Sequence, residues 1–350
     1  MTFASLRENV LALASIPAPT FAEGRRLDWL EAQLSMRPGS YERDRVGNLV
    51  WRLGSGRLRV LVLAHVDTVF SEDVPHVFRQ EGARIIGPGI GDNAAAVAVC
   101  VQVAGELATE DGHASLAVAF TVGEEGLGNL HGAREACERL RPEVVVAVEG
   151  HGLGHVLVDA IGSIRARIRV SGTGGHSWAD RGRPSAVHAL VEICTTLIGL
   201  GTPETPVNIG TISGGQSVNT IAADSECVVE MRALDEASLT EFSEVLDSLV
   251  APAGLTRTIE FVGNRPAGRL DREHPLLAAV RAARAEIGLP DVLGAGSTDA
   301  NAALAYGIPA LTLGVAHGGN MHTLEEWIDS QSLAIGAEQV LRVLRFLVAA

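Results

Sequence analysis

The sequence predicts an α/β chain with a central, mostly parallel sheet, interrupted by a smaller inserted α+β domain. Three observations predict it. Between residues 59 and 149 short apolar runs alternate with stretches of helical period, the rhythm of a sheet covered on both faces. Near Gly162 the texture changes to strict alternation of apolar residues with arginine, and after Pro266 the first texture returns. The simplest division gives 1–162 and 266–350 to the α/β part and 163–265 to the insert.

From the N-terminus, Phe3, Leu6, Val10, Leu11 and Leu13 make one face of an amphipathic helix. Arg7 and Glu8 interrupt it, so no secretory leader is expected. Arg59 to His65, Ser115 to Val122 and Glu143 to Glu149 read as buried strands. Between them lie a helix from Asn93 to Leu107, with Asp92 as its cap, and another from Leu130 to Leu140. In the insert, Ile164, Ala166, Ile168 and Val170 alternate with Arg165, Arg167 and Arg169, which implies a sheet covered on one side only. A helix opening at Pro184, strands near 207–212 and 225–232, a helix capped by Asp235 and a strand near 256–262 follow. That β-α-β-β-α-β order fits a ferredoxin-like domain. A helix from Asp271 to Ile287, a strand from Pro309 to Leu313 and a C-terminal helix complete the chain.

Composition narrows the function. At 47% hydrophobic and 20% charged, the chain can bury a sizeable core. A net charge of -14 argues against nucleic acid, which needs clustered positive charge. No uncharged apolar run approaches the ~18 residues a membrane span needs. Cys100, Cys137, Cys194 and Cys227 show no paired spacing, so reduced thiols in a cytoplasmic protein are expected. Lysine is absent altogether. Phosphate loops of the Walker type, kinase chemistry, Schiff bases and serine–lysine hydrolysis all need an amine that arginine cannot replace.

The chemistry-bearing residues lie at predicted strand ends, where α/β proteins build sites. VLVLAHVDTV ends a strand with His65 and, two residues on, Asp67, a carboxylate able to hold the second nitrogen of a ligating imidazole. GPGIGDNAAAVAV puts Asp92 in a glycine-crowded turn, where a carboxylate would repel phosphate. FTVGEEGLGNLHGAR sets Glu124 beside Glu125 after an apolar strand; two such carboxylates repel unless a cation neutralises one. VVVAVEG ends on Glu149, and MHTLEEW carries His322. Two histidines and three carboxylates suit two zinc-like ions, and Glu124, left unligated, could take and pass a proton. The other histidines, His76, His113, His131, His151, His155, His188, His274 and His317, read as surface or packing residues. Among them His151, two residues past Glu149, stands out for re-examination.

In the order and type of these motifs the chain resembles the co-catalytic zinc metallopeptidase and deacylase family of carboxypeptidase G, aminoacylase-1, peptidase T, acetylornithine deacetylase and succinyl-diaminopimelate desuccinylase. The resemblance implies a zinc-exopeptidase-like catalytic domain with an inserted dimerisation or lid domain, and hence a homodimer. It implies two divalent ions per subunit, zinc first, with cobalt or manganese suited by the same ligands. His65, Asp92 and Glu149 would hold one ion, and Glu125, Asp92 and His322 the other, with Asp92 bridging. Asp67 would orient His65, and Glu124 would be general base to a metal-bound hydroxide. His176, in GTGGHSW, would reach a partner subunit's site and stabilise the oxyanion; Asn219, in GGQSVNTI, and Arg232, in VVEMRALD, would bind a substrate carboxylate. Asp92–Asn93 would be a cis peptide.

The implied substrate is a small peptide or N-acyl amino acid, cut at an amide next to a free carboxylate by an exopeptidase, dipeptidase or deacylase. Glutamate at 149, where aminopeptidase-like members often have aspartate, leans toward carboxypeptidase or deacylase. The loop SWADRGRP after His176 departs from the family's shorter pattern. GSTDAN, residues 296–301, matches a family segment whose expected role is shape. Two alternatives are a serine hydrolase using Ser177 with Asp299 and His322, and a non-catalytic metal- or peptide-binding relative. The first needs a helix straight after Ser177, yet Asp180, Gly182 and Pro184 intervene.

Overall fold

The computed structural model describes residues 3–110 and 115–349, so His113 lies outside the described residues. The chain divides into two compact units, Met1–Ala160 with Arg269–Ala350, and Ile161–Gly268.

In the first unit the apolar runs form the centre of a sheet. Four parallel strands stand side by side in the order Leu116–Thr121, Val60–His65, Val144–Glu149 and Ala310–Gly314. Antiparallel strands Leu49–Arg52 and Ser40–Arg43 extend one flank, and Val156–Ala160 pairs antiparallel on the other. Side chains along each strand alternate between two cores. Val60, Val62 and Ala64 face one layer with the helices Phe3–Ala14, Ala96–Leu107 and Ser332–Ala349. Leu61 and Leu63 face the other with His131–Leu140 and Ala300–Ala305. The sheet is therefore sandwiched, and each buried leucine contributes roughly 1.5–3 kcal/mol. Parallel strands place all their C-terminal ends at one edge, so His65, Thr121 and Glu149 arrive together.

The span Ile90–Leu107 is long and apolar enough to cross a bilayer by composition, but it carries Asp92 and Glu106 and is 78% buried inside the fold. It is the core helix and the turn that leads into it. That turn departs from expectation. Asp92 and Asn93 have non-helical dihedrals, the Asp92–Asn93 peptide is cis, and the α-helix starts only at Ala96, with no cap from the Asp92 side chain. The helix expected from Asp271 instead runs Pro275–Glu286, with proline in its first turn and His274 accepting from the Leu276 N–H. Proline's missing N–H costs nothing there.

The second unit has a four-stranded antiparallel sheet ordered Val207–Gly214, Asp224–Ala233, Gly162–Gly172 and Leu255–Arg265. Helices Ala186–Ile198 and Glu236–Ser248 cover one face, the latter capped by Asp235. On the other face the arginines pair with glutamates across strands: Arg165 with Glu230 at 3.3 Å, Arg167 with Glu260 at 2.9 Å, and Arg169 with Glu226 at 2.5 Å. The more exposed of these, such as Arg169 with Glu226, contribute little each, about 0–1 kcal/mol, while Arg165 and Glu230 are half-buried. The four cysteines are buried thiols.

Candidate metal centre

Each proposed ligand sits where an apolar strand ends or in a turn beside one. His65 closes its strand with the ring almost wholly buried. Its Nε2 lies 3.1 Å from Asp92 Oδ1 and 3.5 Å from Glu149 Oε2. The other carboxylate oxygen of Asp92 lies 3.0 Å from His322 Nε2, which is also 3.4 Å from Glu125 Oε1. Donor atoms of His65, Asp92 and Glu125 all lie within 4.8 Å of one another. One carboxylate thus faces two imidazoles through its two oxygens.

The electrostatics of the cluster fit cations. Burial, and then the charges of Asp92 and Glu124 against the hydrogen bond from His322, push the Glu125 carboxyl up to about 7. Burial likewise raises Glu149. Hydrogen bonds to Asp92 and Glu125 carry His322 up to about 10. Burial opposes charge on His65, but Glu149, Asp67 and Asp92 hold it well above the usual imidazole range. Burial also opposes ionisation of Asp92, yet His322 and His65 keep it well below the usual carboxylate range. The carboxylates thus demand positive charge at the point they surround, and nitrogen and oxygen donors in this mixture suit divalent ions of the zinc type.

Asp67 lies beside His65, fully buried. Its Oδ1 is 3.4 Å from His65 Nδ1, and that nitrogen is also 3.2 Å from the Asp67 carbonyl. The carboxylate accepts the Glu124 N–H at 3.0 Å, the Glu125 N–H at 2.9 Å and the Thr20 hydroxyl at 2.9 Å. Burial works against its charge, but these bonds and His65 hold Asp67 below its ordinary pKa. It therefore shapes the glutamate pair as much as the histidine.

Arg26, Glu23 and Glu326 were not singled out from sequence, and His151 and GSTDAN were noted there without a supporting role. Arg26, fully buried, donates to the Val66 carbonyl at 2.7 Å and the Ile16 carbonyl at 2.9 Å, bracing the strand end that carries His65. Glu23 accepts the Gly123 N–H at 2.9 Å. Asn93 bonds the Val148 carbonyl at 3.0 Å and the Gly150 N–H at 2.8 Å, tying the Asp92 turn to the Glu149 strand. Glu326, fully buried, accepts N–H groups of Gly89, Gly91 and Asp92 at 2.9, 2.9 and 2.8 Å, and His151 Nε2 stands 2.9 Å from it. Asp299, in GSTDAN, is buried and accepts the Thr121 hydroxyl at 2.5 Å.

In the second unit, His176 lies on a two-residue ribbon opposite Thr220, and Asn219 directly precedes Thr220, its carbonyl accepting the Ser177 N–H at 3.0 Å. The exposed His176 ring accepts the N–H groups of Trp178 and Ala179 at Nδ1, both at 3.2 Å. An Nδ1 that accepts leaves the neutral ring's proton on Nε2, as an outward donor. Arg232 is elsewhere. It pairs with Ser163 at the far end of the strand that Asp224 begins, and its guanidinium meets Glu230. Eight residues at about 3.3 Å each separate the two ends by roughly 26 Å. Asn219 lies toward the Asp224 end, where the ribbon pairs Thr220 with His176, and Arg232 lies toward the other. Ser177 has no helix after it; the next one starts at Ala186. His322 meets Asp92 and Glu125, and Asp299 meets Thr121, so the acid–base pair of a serine hydrolase is not assembled.

Comparison with known proteins places the fold. The acetylornithine deacetylase of Proteus mirabilis is 25% identical over 283 residues, 72% of each chain. A tripeptidase from Staphylococcus aureus superposes with a TM-score of 0.84 over the whole of both chains at 21% identity. The Bacillus subtilis protein YXEP, described as a dinuclear metal binding peptidase, superposes with a TM-score of 0.70 at 16% identity, over 99% of this chain and 98% of its own. The profile of peptidase family M20/M25/M40 matches residues 61–345. That span runs from the His65 strand through the His322 loop and into the last helix, and the protein belongs to peptidase family M20/M25/M40 and is a hydrolase.

Proposed function

We propose that the protein cleaves an amide or peptide bond next to a free carboxylate, as an exopeptidase, dipeptidase or N-acyl-amino-acid deacylase. His65, Asp92 and Glu149 would hold one divalent ion and His322, Asp92 and Glu125 a second. The observation that carries this reading is the two-sided Asp92 carboxylate, 3.1 Å from one imidazole and 3.0 Å from the other. It divides five donors into two sets with one member in common. Bound there, such ions lower the pKa of a water and polarise a carbonyl.

The chain's own residues would do the rest. Glu124, buried beside the ligands, would take a proton from the attacking water on a carboxylate oxygen and return it to the leaving nitrogen. Asp67 fixes the backbone of Glu124 and Glu125 through their N–H groups and holds the His65 ring. His176, with its donor nitrogen outward, would stabilise the oxyanion. His176 and Asn219 lie toward the opposite end of the sheet from Arg232, and a site using all three would draw them from two chains, which supports a homodimer formed through residues 163–265.

The first test is a screen of N-acyl amino acids, dipeptides and tripeptides on metal-reconstituted protein, with Glu124→Gln alongside. Turnover of a substrate with a free carboxylate is expected, with kcat in the variant lower by about 10²–10⁴. Failure of all amides, or undiminished turnover by E124Q, would refute the assignment. Mixing E124Q with H176A chains tests the dimer. If His176 acts across subunits, heterodimers recover one intact site; no recovery would place it within one chain.

A further inference from the structure

We propose that Glu326 and His151 form a positioning clamp that sets the metal affinity of the cluster, an inference that rests on the ligand assignment above. Glu326 is fully buried, and an isolated carboxylate there would be costly. Its four contacts offset that cost and show what it does. Oε2 accepts the Gly89 N–H at 2.9 Å; Oε1 accepts those of Gly91 at 2.9 Å and Asp92 at 2.8 Å, and meets His151 Nε2 at 2.9 Å. Glu326 thus grips the backbone of the shared ligand itself.

The chain positions of the two residues give the clamp its reach. Glu326 follows His322 by four residues, and His151 follows Glu149 by two. The Glu326–His151 contact therefore joins three ligand-bearing segments: the Asp92 turn, the end of the Glu149 strand and the His322 loop. The glycines around them are the space this contact needs. A Cβ on Gly91 would strike His151 and Glu326, one on Gly318 would strike His151 and the Trp327 carbonyl, and one on Gly314 would strike the His151 carbonyl. The crowding of small residues near Asp92 thus makes room for a supporting pair of side chains. Outer partners of this kind fix ligand geometry, and losing one weakens metal binding by about 10–100-fold.

The experiment titrates cobalt and zinc into metal-free wild-type protein, Glu326→Gln, His151→Ala and His151→Gln, and records Co(II) absorption. Glutamine keeps the shape of Glu326 but turns one acceptor into a donor, so at least one N–H of the turn loses its partner. Wild type is expected to bind two ions per chain. E326Q and H151A should bind about 10–100-fold more weakly, with shifted cobalt bands. H151Q, whose amide can still donate to Glu326, should recover most of the affinity. An E326Q protein that folds with unchanged metal-free melting, yet keeps wild-type affinity and spectrum, would overturn the clamp. So would H151Q no better than H151A, and the His151 pair decides alone if E326Q fails to fold. Wild-type protein that takes up no metal would overturn the ligand assignment itself.

Discussion

Substituting Asp67 by asparagine tests the central joint of the site with a change of one atom. The carboxylate receives the Glu124 N–H on Oδ1, and the Glu125 N–H and Thr20 hydroxyl on Oδ2, at 3.0, 2.9 and 2.9 Å. Asparagine has one acceptor oxygen. Its best arrangement keeps that oxygen on the Glu125 and Thr20 side and turns its NH₂ toward the Glu124 N–H. One charge-assisted bond, roughly 1.5–3 kcal/mol, is lost, and a buried N–H is left facing a donor at about 1–3 kcal/mol more. Relaxation recovers part of this, so a loss of about 2–5 kcal/mol is expected in urea unfolding of the metal-free protein. The broken bond belongs to the backbone of Glu124, and the same NH₂ turns toward His65 Nδ1, 3.4 Å from Oδ1, so kcat/KM of the reconstituted enzyme should fall about 10²-fold or more, as for a misplaced catalytic group. Asp67→Asn within about 0.5 kcal/mol of wild type, with kcat/KM changed less than about twofold, would refute the reasoning.

Metal removal should lower the melting temperature as well as abolish turnover, since at a free ion concentration of about 1,000 Kd bound metal stabilises by about 4 kcal/mol per site; melting unaffected by a chelator would contradict this. Asp299 offers a pH test: burial first, then the charge of Glu124, pushes its carboxyl up to about 7. A raised carboxyl pKa gives stability that is full below the unfolded value of about 3.9 and lost as pH rises through 7. Asp299→Asn, which keeps an acceptor for Thr121, should therefore gain on wild type between pH 4 and 8, and parallel stability curves would exclude it. Leu63→Ala, in the core between the sheet and the His131–Leu140 helix, should cost about 2–5 kcal/mol in denaturant unfolding and leave kcat near wild type at low temperature, and a cost under about 1 kcal/mol would show that the layer repacks.

The central strands were legible because burial on both faces demands uninterrupted apolar runs, which few other elements show. The helix starts were harder. Asp235 and Asp92 both precede a helical run, and both read as caps. Asp235 is one, accepting the Ser238 N–H at 2.8 Å. Asp92 is instead drawn off the helix path by His65 and His322, contacts from distant parts of the chain that local sequence does not contain. The short strands Ser40–Arg43 and Arg79–Glu81 were missed for another reason: all their residues are exposed, so no periodicity of burial marks them.

The same division runs through the site. His65, Asp92, Glu125 and Glu149 stand out because polar groups end apolar runs or crowd among glycines, and such placement needs a compensating partner. Glu326 shows what stays hidden. It follows Glu325, the same residue in the same loop, yet Glu325 reaches out to Arg79 at 3.2 Å while Glu326 is fully buried against the Asp92 turn. Nothing in LEEW separates the two, because the difference lies in donors supplied by residues 89–92 and 151. A ligand can be read from its own chemistry, whereas a residue that holds a ligand in place is defined by where the other segments come to rest. Sequence reading therefore finds a support that lies beside its ligand, as Asp67 lies two residues from His65, but not Glu326, whose partners come from distant segments.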